Sequence, residues 1–169
     1  MKKIVLLLLL LMVLVGCNKH QSSAIKADGS SYAVQFLVDA GITSDMSETQ
    51  VRAQRQLATW MENDLLSMLT RAGYKAAPVS SSAKFQGGSG NYLLQIKVTN
   101  YNPGSKAARM LVGFGAGSTS VDIQYQILNG NKQIVEDRAD GVGSSRDWNY
   151  CARVLNQRIV ATLGMTVGK

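Results

Sequence analysis

The side chains able to do acid–base, nucleophilic or metal chemistry are few in this chain and stand far apart. There is one histidine, His20, and there are two cysteines, Cys17 and Cys151. General acid–base work near neutral pH recruits histidine, a tuned carboxylate pair or an activated lysine. His20 lies in a polar, Ser-rich stretch with no rigid neighbour, whereas a working base has to be held by a packed scaffold. Glu62 and Asp64 point around a predicted helix, and Glu136, Asp137 and Asp140 read as a solvated hairpin end. A glycosidase pair across those two groups is the one enzymatic arrangement they leave open. No Asp, Glu or Cys cluster has metal-ligand spacing, and no nucleophile elbow occurs in the Ser-rich stretches. The residue pattern therefore names no catalytic site, metal or cofactor, and a non-enzymatic protein is expected.

Cys17 carries the one definite chemistry. Lys2 and Lys3 precede an apolar run from Ile4 to Val15, and Leu14-Val15-Gly16-Cys17 ends it. That pattern resembles a bacterial lipobox, which predicts that residues 1–16 are a signal peptide and that the mature chain starts at an acylated Cys17. Twelve apolar residues fall short of the about 20 a spanning helix needs. Each buried methylene of an acyl chain such as palmitate contributes about 0.8 kcal/mol, and two chains already anchor stably. The expected partner of this end is thus a membrane. Asn18 stands where an Asp would favour inner-membrane retention in enterobacterial lipoproteins, so an outer-membrane lipoprotein facing the periplasm is expected.

Residues 17–31, the lipidated cysteine and the stretch NKHQSSAIKADGSS, read as a flexible tether. Such a segment reaches a root-mean-square distance of about 20 Å. Residues 32–169 are then one domain's worth of chain, long enough to bury a core. Losing Lys2 and Lys3 takes 18 basic residues to 16 against 11 acidic ones, a net charge of +5. That surplus suits an anionic lipid surface, a polyanionic glycan or an acidic partner. It is spread along the chain rather than gathered in a stripe with interleaved aromatics, so nucleic acid is not an expected partner. With Cys17 acylated, Cys151 has no internal disulfide partner. Its place beside Trp148, Ala152 and Leu155 predicts a buried thiol, with an intermolecular disulfide or a reactive thiol as the alternative.

The elements follow from periodicity and punctuation. Tyr32 to Val38 reads as a buried first strand. Ser47-Glu48-Thr49-Gln50 is a capping box, opening a helix to about Ala72 with Val51, Ala58, Met61, Leu65, Met68, Leu69 and Ala72 on one face and Gly73 as its stop. Tyr74 to Val79 predicts a brief strand, which Pro78 ends or marks as an edge. Tyr92 to Tyr101 and Thr119 to Leu128 alternate as strands, and Asn129-Gly130 predicts a hairpin returning over Lys132 to Arg138. A Gly-rich turn over 141–145 then leads to a helix capped by Asp147, running from Trp148 to Leu163 and stopped by Gly164. The expected fold class is α+β: two layers, a mixed or antiparallel sheet of four or five strands with two helices on one face.

Between the alternating strands lies the most unusual stretch, from Pro103 to Gly117. Gly104, Ser105, Ala107 and Arg109, followed by Val112-Gly113-Phe114-Gly115-Ala116-Gly117, resemble the GSxAxR…VGFGAG pattern of a family of uncharacterised bacterial lipoproteins, domain of unknown function 4410. The resemblance implies no activity, because the family has none established. The glycines lack the Lys-Ser/Thr ending of a phosphate-binding loop, and a strand follows where a dinucleotide site needs a helix. Two readings remain open. The glycines permit a bulge or close backbone packing at the entry to a strand. Alternatively Gly104, Ser105, Lys106, Arg109, Met110, Leu111, Gly113, Phe114, Gly115 and Gly117 form an apolar segment with a cationic lead that docks on a partner protein or the lipid surface. The expected function is a membrane-anchored envelope interaction or assembly module, binding an envelope protein or a second copy of itself. The alternative is a periplasmic domain binding or processing a glycan or lipid.

Overall fold

The computed structural model describes residues 32–104, 117–130 and 132–167. They form an α+β fold in two layers. Five strands, β1 (Ala33–Asp39), β2 (Lys75–Pro78), β3 (Asn91–Asn102), β4 (Thr119–Asn129) and β5 (Lys132–Ser144), make one sheet in the order β2-β1-β3-β4-β5. Two helices, α1 (Glu48–Arg71) and α2 (Trp148–Thr166), cover one face. The sheet is mixed: β1 runs parallel to both β2 and β3, and β3, β4 and β5 are antiparallel to one another.

Period-two alternation decides which residues meet the helices. Val34, Phe36, Leu94, Ile96, Val98, Val121, Ile123 and Ile127 point inward and are buried, against Leu57, Met61, Leu65 and Leu69 of α1 and Leu155, Ile159 and Leu163 of α2. Full burial of each large aliphatic side chain contributes about 1.5–3 kcal/mol, so this one seam supplies most of the driving force. Both capping predictions hold. Ser47 Oγ accepts from Gln50 N while Gln50 Oε1 accepts from Ser47 N, and Asp147 Oδ1 accepts from Tyr150 N. On α1 the buried stripe takes in Gln54 and Leu57, while Val51 and Met68 enter it only partly.

Connectivity gives the domain two distinct ends. The start of β1 pairs with Lys75 and Asn91, and α1 descends to it from the other end, where Asp39 pairs with Lys97. α2 begins after Ser144, which pairs with Thr119, and it too runs toward the β1-start end, since its Gly164 lies against the Tyr74 hydroxyl. Tyr32 and Val167 thus share one end. The β3–β4 connection opens at the opposite end.

Two boundaries differ from expectation. The return strand does not stop at Arg138, and residues 141–144 are strand rather than turn. A Cβ on Gly141 would meet Asp122 Oδ1, so the glycine leaves the Asp122 carboxylate room to lie across the ladder. Helix α2 also passes Gly164 and continues to Thr166. Val167 is packed against the core, with its N–H on Leu163 O, and that packing outweighs the roughly 1 kcal/mol helix penalty of glycine.

Candidate interaction surface at the sheet end

The segment singled out above begins and ends on described residues. Ser105, Lys106, Arg109, Met110, Leu111, Gly113, Phe114 and Gly115 lie outside the described residues, as do Cys17, His20 and the tether. Gly104 and Gly117 stand side by side, both left-handed, at φ 69 and φ 70. A Cβ on Gly104 would lie 2.5 Å from Gly117 O and 2.8 Å from Thr119 Cγ2. Asn102 Oδ1 accepts from Gly104 N at 2.9 Å, which folds the chain sharply as it leaves β3. The backbone is therefore closely packed where Gly104 meets Gly117.

Beneath this closure sits a polar pin. Thr119 is fully buried. Its hydroxyl lies 3.2 Å from Ser144 O and 3.0 Å from Arg146 O, tying the start of β4 to the end of β5 and the approach to α2. Cys151 Sγ is 3.4 Å from that hydroxyl. With the threonine proton directed at a carbonyl, the thiol is left as the donor to Oγ1. Cys151 is completely buried, in agreement with its sequence pattern.

Half-buried aromatics flank the closure. Tyr101 packs edge-on against Trp148 at 6.3 Å between ring centroids, and Trp148 meets Trp60 of α1 the same way at 5.8 Å. One cation lies over this group, the Arg153 guanidinium 5.5 Å from the Trp60 ring, and Arg146 lies 4.6 Å from the neighbouring, exposed Tyr150. Such contacts contribute about 0.5–1 kcal/mol at exposed sites. Burial, reinforced by the charge Cys151 would carry at high pH, pushes the Tyr101 phenol from 10.0 up to about 12. Sequence reading passed over this cluster because Trp60, Tyr101 and Trp148 lie on three separate elements.

Two of the carboxylates, Asp64 and Asp140, are occupied structurally. Asp64 accepts from Asn156 Nδ2 at 3.1 Å and faces Arg153 Nε at 3.5 Å, which ties α1 to α2. Asp140 pairs with Arg158 at 2.6 Å. The two groups belong to different elements and each serves its own cation. On the sheet face that carries no helix among the described residues, an open hollow of about 300 Å³ is lined by Asp39, Gln95, Lys97, Gln124, Gln126 and Asp137. Gln126 donates to Gln95, and Gln133 donates to Gln126, in a chain of side-chain amides. Among the described residues no three His, Cys, Asp or Glu side chains are grouped to hold a metal ion, and no helix is long and apolar enough to cross a membrane.

A family model for a domain of unknown function, DUF4410, matches residues 19–164. The chain belongs to the DUF4410 family. No curated protein matches it. Solved structures that resemble this DUF4410 chain include a PelC dodecamer from Paraburkholderia phytofirmans in a point-mutant form, at 10% identity over 82% of this chain and 91% of that one with a TM-score of 0.48. A second PelC dodecamer from the same organism matches at 11% identity over 83% and 91%, TM-score 0.44. A putative neuraminyllactose-binding hemagglutinin homolog from Helicobacter pylori matches at 10% identity over 83% and 85%, TM-score 0.34.

Two predictions follow from the closure and its aromatic flank. Gly104→Ala will lower stability by about 1–3 kcal/mol, the range for a residue forced into a strained conformation. Gly130→Ala, at φ 58 with open space around it, will cost less in the same urea titration. The unfolded phenol of Tyr101 ionises near 10.0 and the folded one near about 12, so its stabilisation is complete below the first value and lost as pH rises to the second. Tyr101→Phe will flatten that part of the stability profile, read as the denaturation midpoint against pH.

Proposed function

We propose that this DUF4410 protein is a lipid-anchored, non-enzymatic module of the bacterial envelope, held at Cys17 and docking a partner protein through residues 104–117 and the aromatics beside them. The observation that carries the reading is the opposition of the two ends. Tyr32, where the tether joins, lies at one end of the sheet, and the Gly104–Gly117 closure lies at the other. β3 has 12 residues and so spans roughly 36 Å at about 3.3 Å each. A tether of about 20 Å root-mean-square reach therefore presents the Gly104–Gly117 closure away from its own membrane. Half-buried Trp and Tyr, with exposed Arg beside them, are the residue types that anchor protein interfaces. The match to the family from residue 19 onward, directly behind the lipobox, is in keeping with a cut before Cys17. The anchor suits the outer membrane facing the periplasm, since Asn18 lacks the acidic character of a retention signal.

A second reading is favoured by the amide-lined hollow on the helix-free face. Glutamine amides, each both donor and acceptor, with Asp39, Asp137 and Lys97 suit the hydroxyls of a glycan. The paired change Arg109→Ala with Phe114→Asp separates the two. The variant is expected to keep its far-ultraviolet circular dichroism and to lose at least about tenfold in partner recovery from detergent-solubilised envelopes. Retained recovery would refute docking through this segment, and binding lost instead on Gln95→Ala with Gln126→Ala would support the glycan reading.

A further inference from the structure

Among the described residues, strand β5 is one edge of the sheet and has no strand beyond it. Such an edge offers unpaired backbone donors and acceptors, and proteins blunt it with bulges and charges. Here the blunting covers only half the strand. The register with β4 breaks between Tyr125 and Ile127 and again between Ile127 and Leu128, which disrupts residues 132–137. From Arg138 to Ser144 the pairing is unbroken, ending on Tyr125↔Arg138 at one side and Thr119↔Ser144 at the other.

The regular half begins Arg138-Ala139-Asp140. Arg138 and Asp140 pair with Tyr125 and Ile123, both core residues, so both charges lie on the helix side of the sheet. Asp140 takes Arg158 from α2 at 2.6 Å. Arg138 is exposed, and among the described residues no carboxylate pairs with it.

We propose that two copies of this chain join edge to edge through β5, antiparallel, about a twofold axis at Ala139. In that register Arg138 of each copy lies opposite Asp140 of the other, on the same face, twice over. Asp140 then sits between Arg158 of its own chain and Arg138 of the second copy. On the next rung Asp137 faces Gly141, which has no side chain to obstruct it.

The symmetry makes the pattern selective. Antiparallel strands joined side by side by a twofold have that axis perpendicular to the sheet, and residues directly opposite share a face. The alternative symmetric registers nearest to this one are centred on Arg138 or on Asp140. The first sets Arg138 against itself and the second Asp140 against itself, and like charges directly opposite are unfavourable. Of these three registers, the one centred on Ala139 alone pairs opposite charges. Exposed ion pairs are weak individually, so they select the register and the partner, while the adhesion comes from a backbone ladder that is regular on both strands over 138–140 and sets residues 141–144 of each copy beside the bulged 134–137 of the other. The product is one continuous ten-stranded sheet, and it leaves the Gly104–Gly117 end of each copy free.

The test is sedimentation velocity on the full lipidated chain in detergent, with circular dichroism on every variant. The wild type is expected to sediment as a dimer. Arg138→Asp or Asp140→Arg alone is expected to give monomer, and the double charge exchange to restore the dimer. Ala139→Cys is expected to form a disulfide-linked dimer on oxidation, because the axis brings that position to about 4.5–5.5 Å from itself, whereas Gln133→Cys is not. Should Asp140→Arg unfold through loss of the Arg158 pair, Arg138→Asp and the Ala139→Cys crosslink decide alone. A monomeric wild type, a dimer indifferent to Arg138→Asp, or equal crosslinking at 133 and 139 would overturn the proposal.

Discussion

Everything in this domain depends on burying one face of a five-stranded sheet under two helices. The constraint is geometric before it is chemical. Val34, Phe36, Leu94, Ile96, Ile123 and Ile127 must share a side, so a slip of one residue in any of these strands would turn its apolar set out to water. Once α1 and α2 occupy that side, the opposite face is left to Gln95, Lys97, Gln124 and Gln126, and recognition has the open face, an end or an edge to use. Asn156 reinforces the arrangement from inside. Fully buried, it donates to Met61 O and to Asp64, which sets how the two helices lie against each other.

Much of this architecture is legible wherever local chemistry is self-sufficient. The Ser47–Gln50 capping box, the Asp147 cap and the Asn129-Gly130 hairpin are each contained in a few residues, and each forms as its pattern predicts. What local pattern did not reveal is order across the sheet. That β1 sits between β2 and β3 depends on α1 and the 79–90 segment carrying the chain back twice, and no alternation encodes it. Glycine is the second source of misreading. Gly141 and Gly143 read as a turn because glycine usually marks one, yet Gly141 extends a strand by leaving room for Asp122. Gly164 reads as a helix stop and is overridden because Val167 has core to pack on.

The candidate surface was legible as a segment and opaque as a site. Its glycines and its Arg and Phe stand in one run, so they could be picked out by composition. The flanking cluster could not, because Tyr101, Trp148 and Trp60 meet only after β3, α2 and α1 are assembled. The Thr119 pin is less visible still. A threonine opening a strand is unremarkable until its hydroxyl is seen tying β4 to Ser144 and Arg146, holding the base of the closure at a fixed place on the domain.

Membership of the DUF4410 family assigns no activity, and the proposed function rests on placement: a proposed anchor at one end and a proposed docking segment at the other. The most direct measurement is photocrosslinking in the native envelope from a reactive group installed at position 114. If the account is right, the capture is a discrete protein adduct, sensitive to Arg109→Ala. Adducts formed with lipid alone, or none above background, would contradict it.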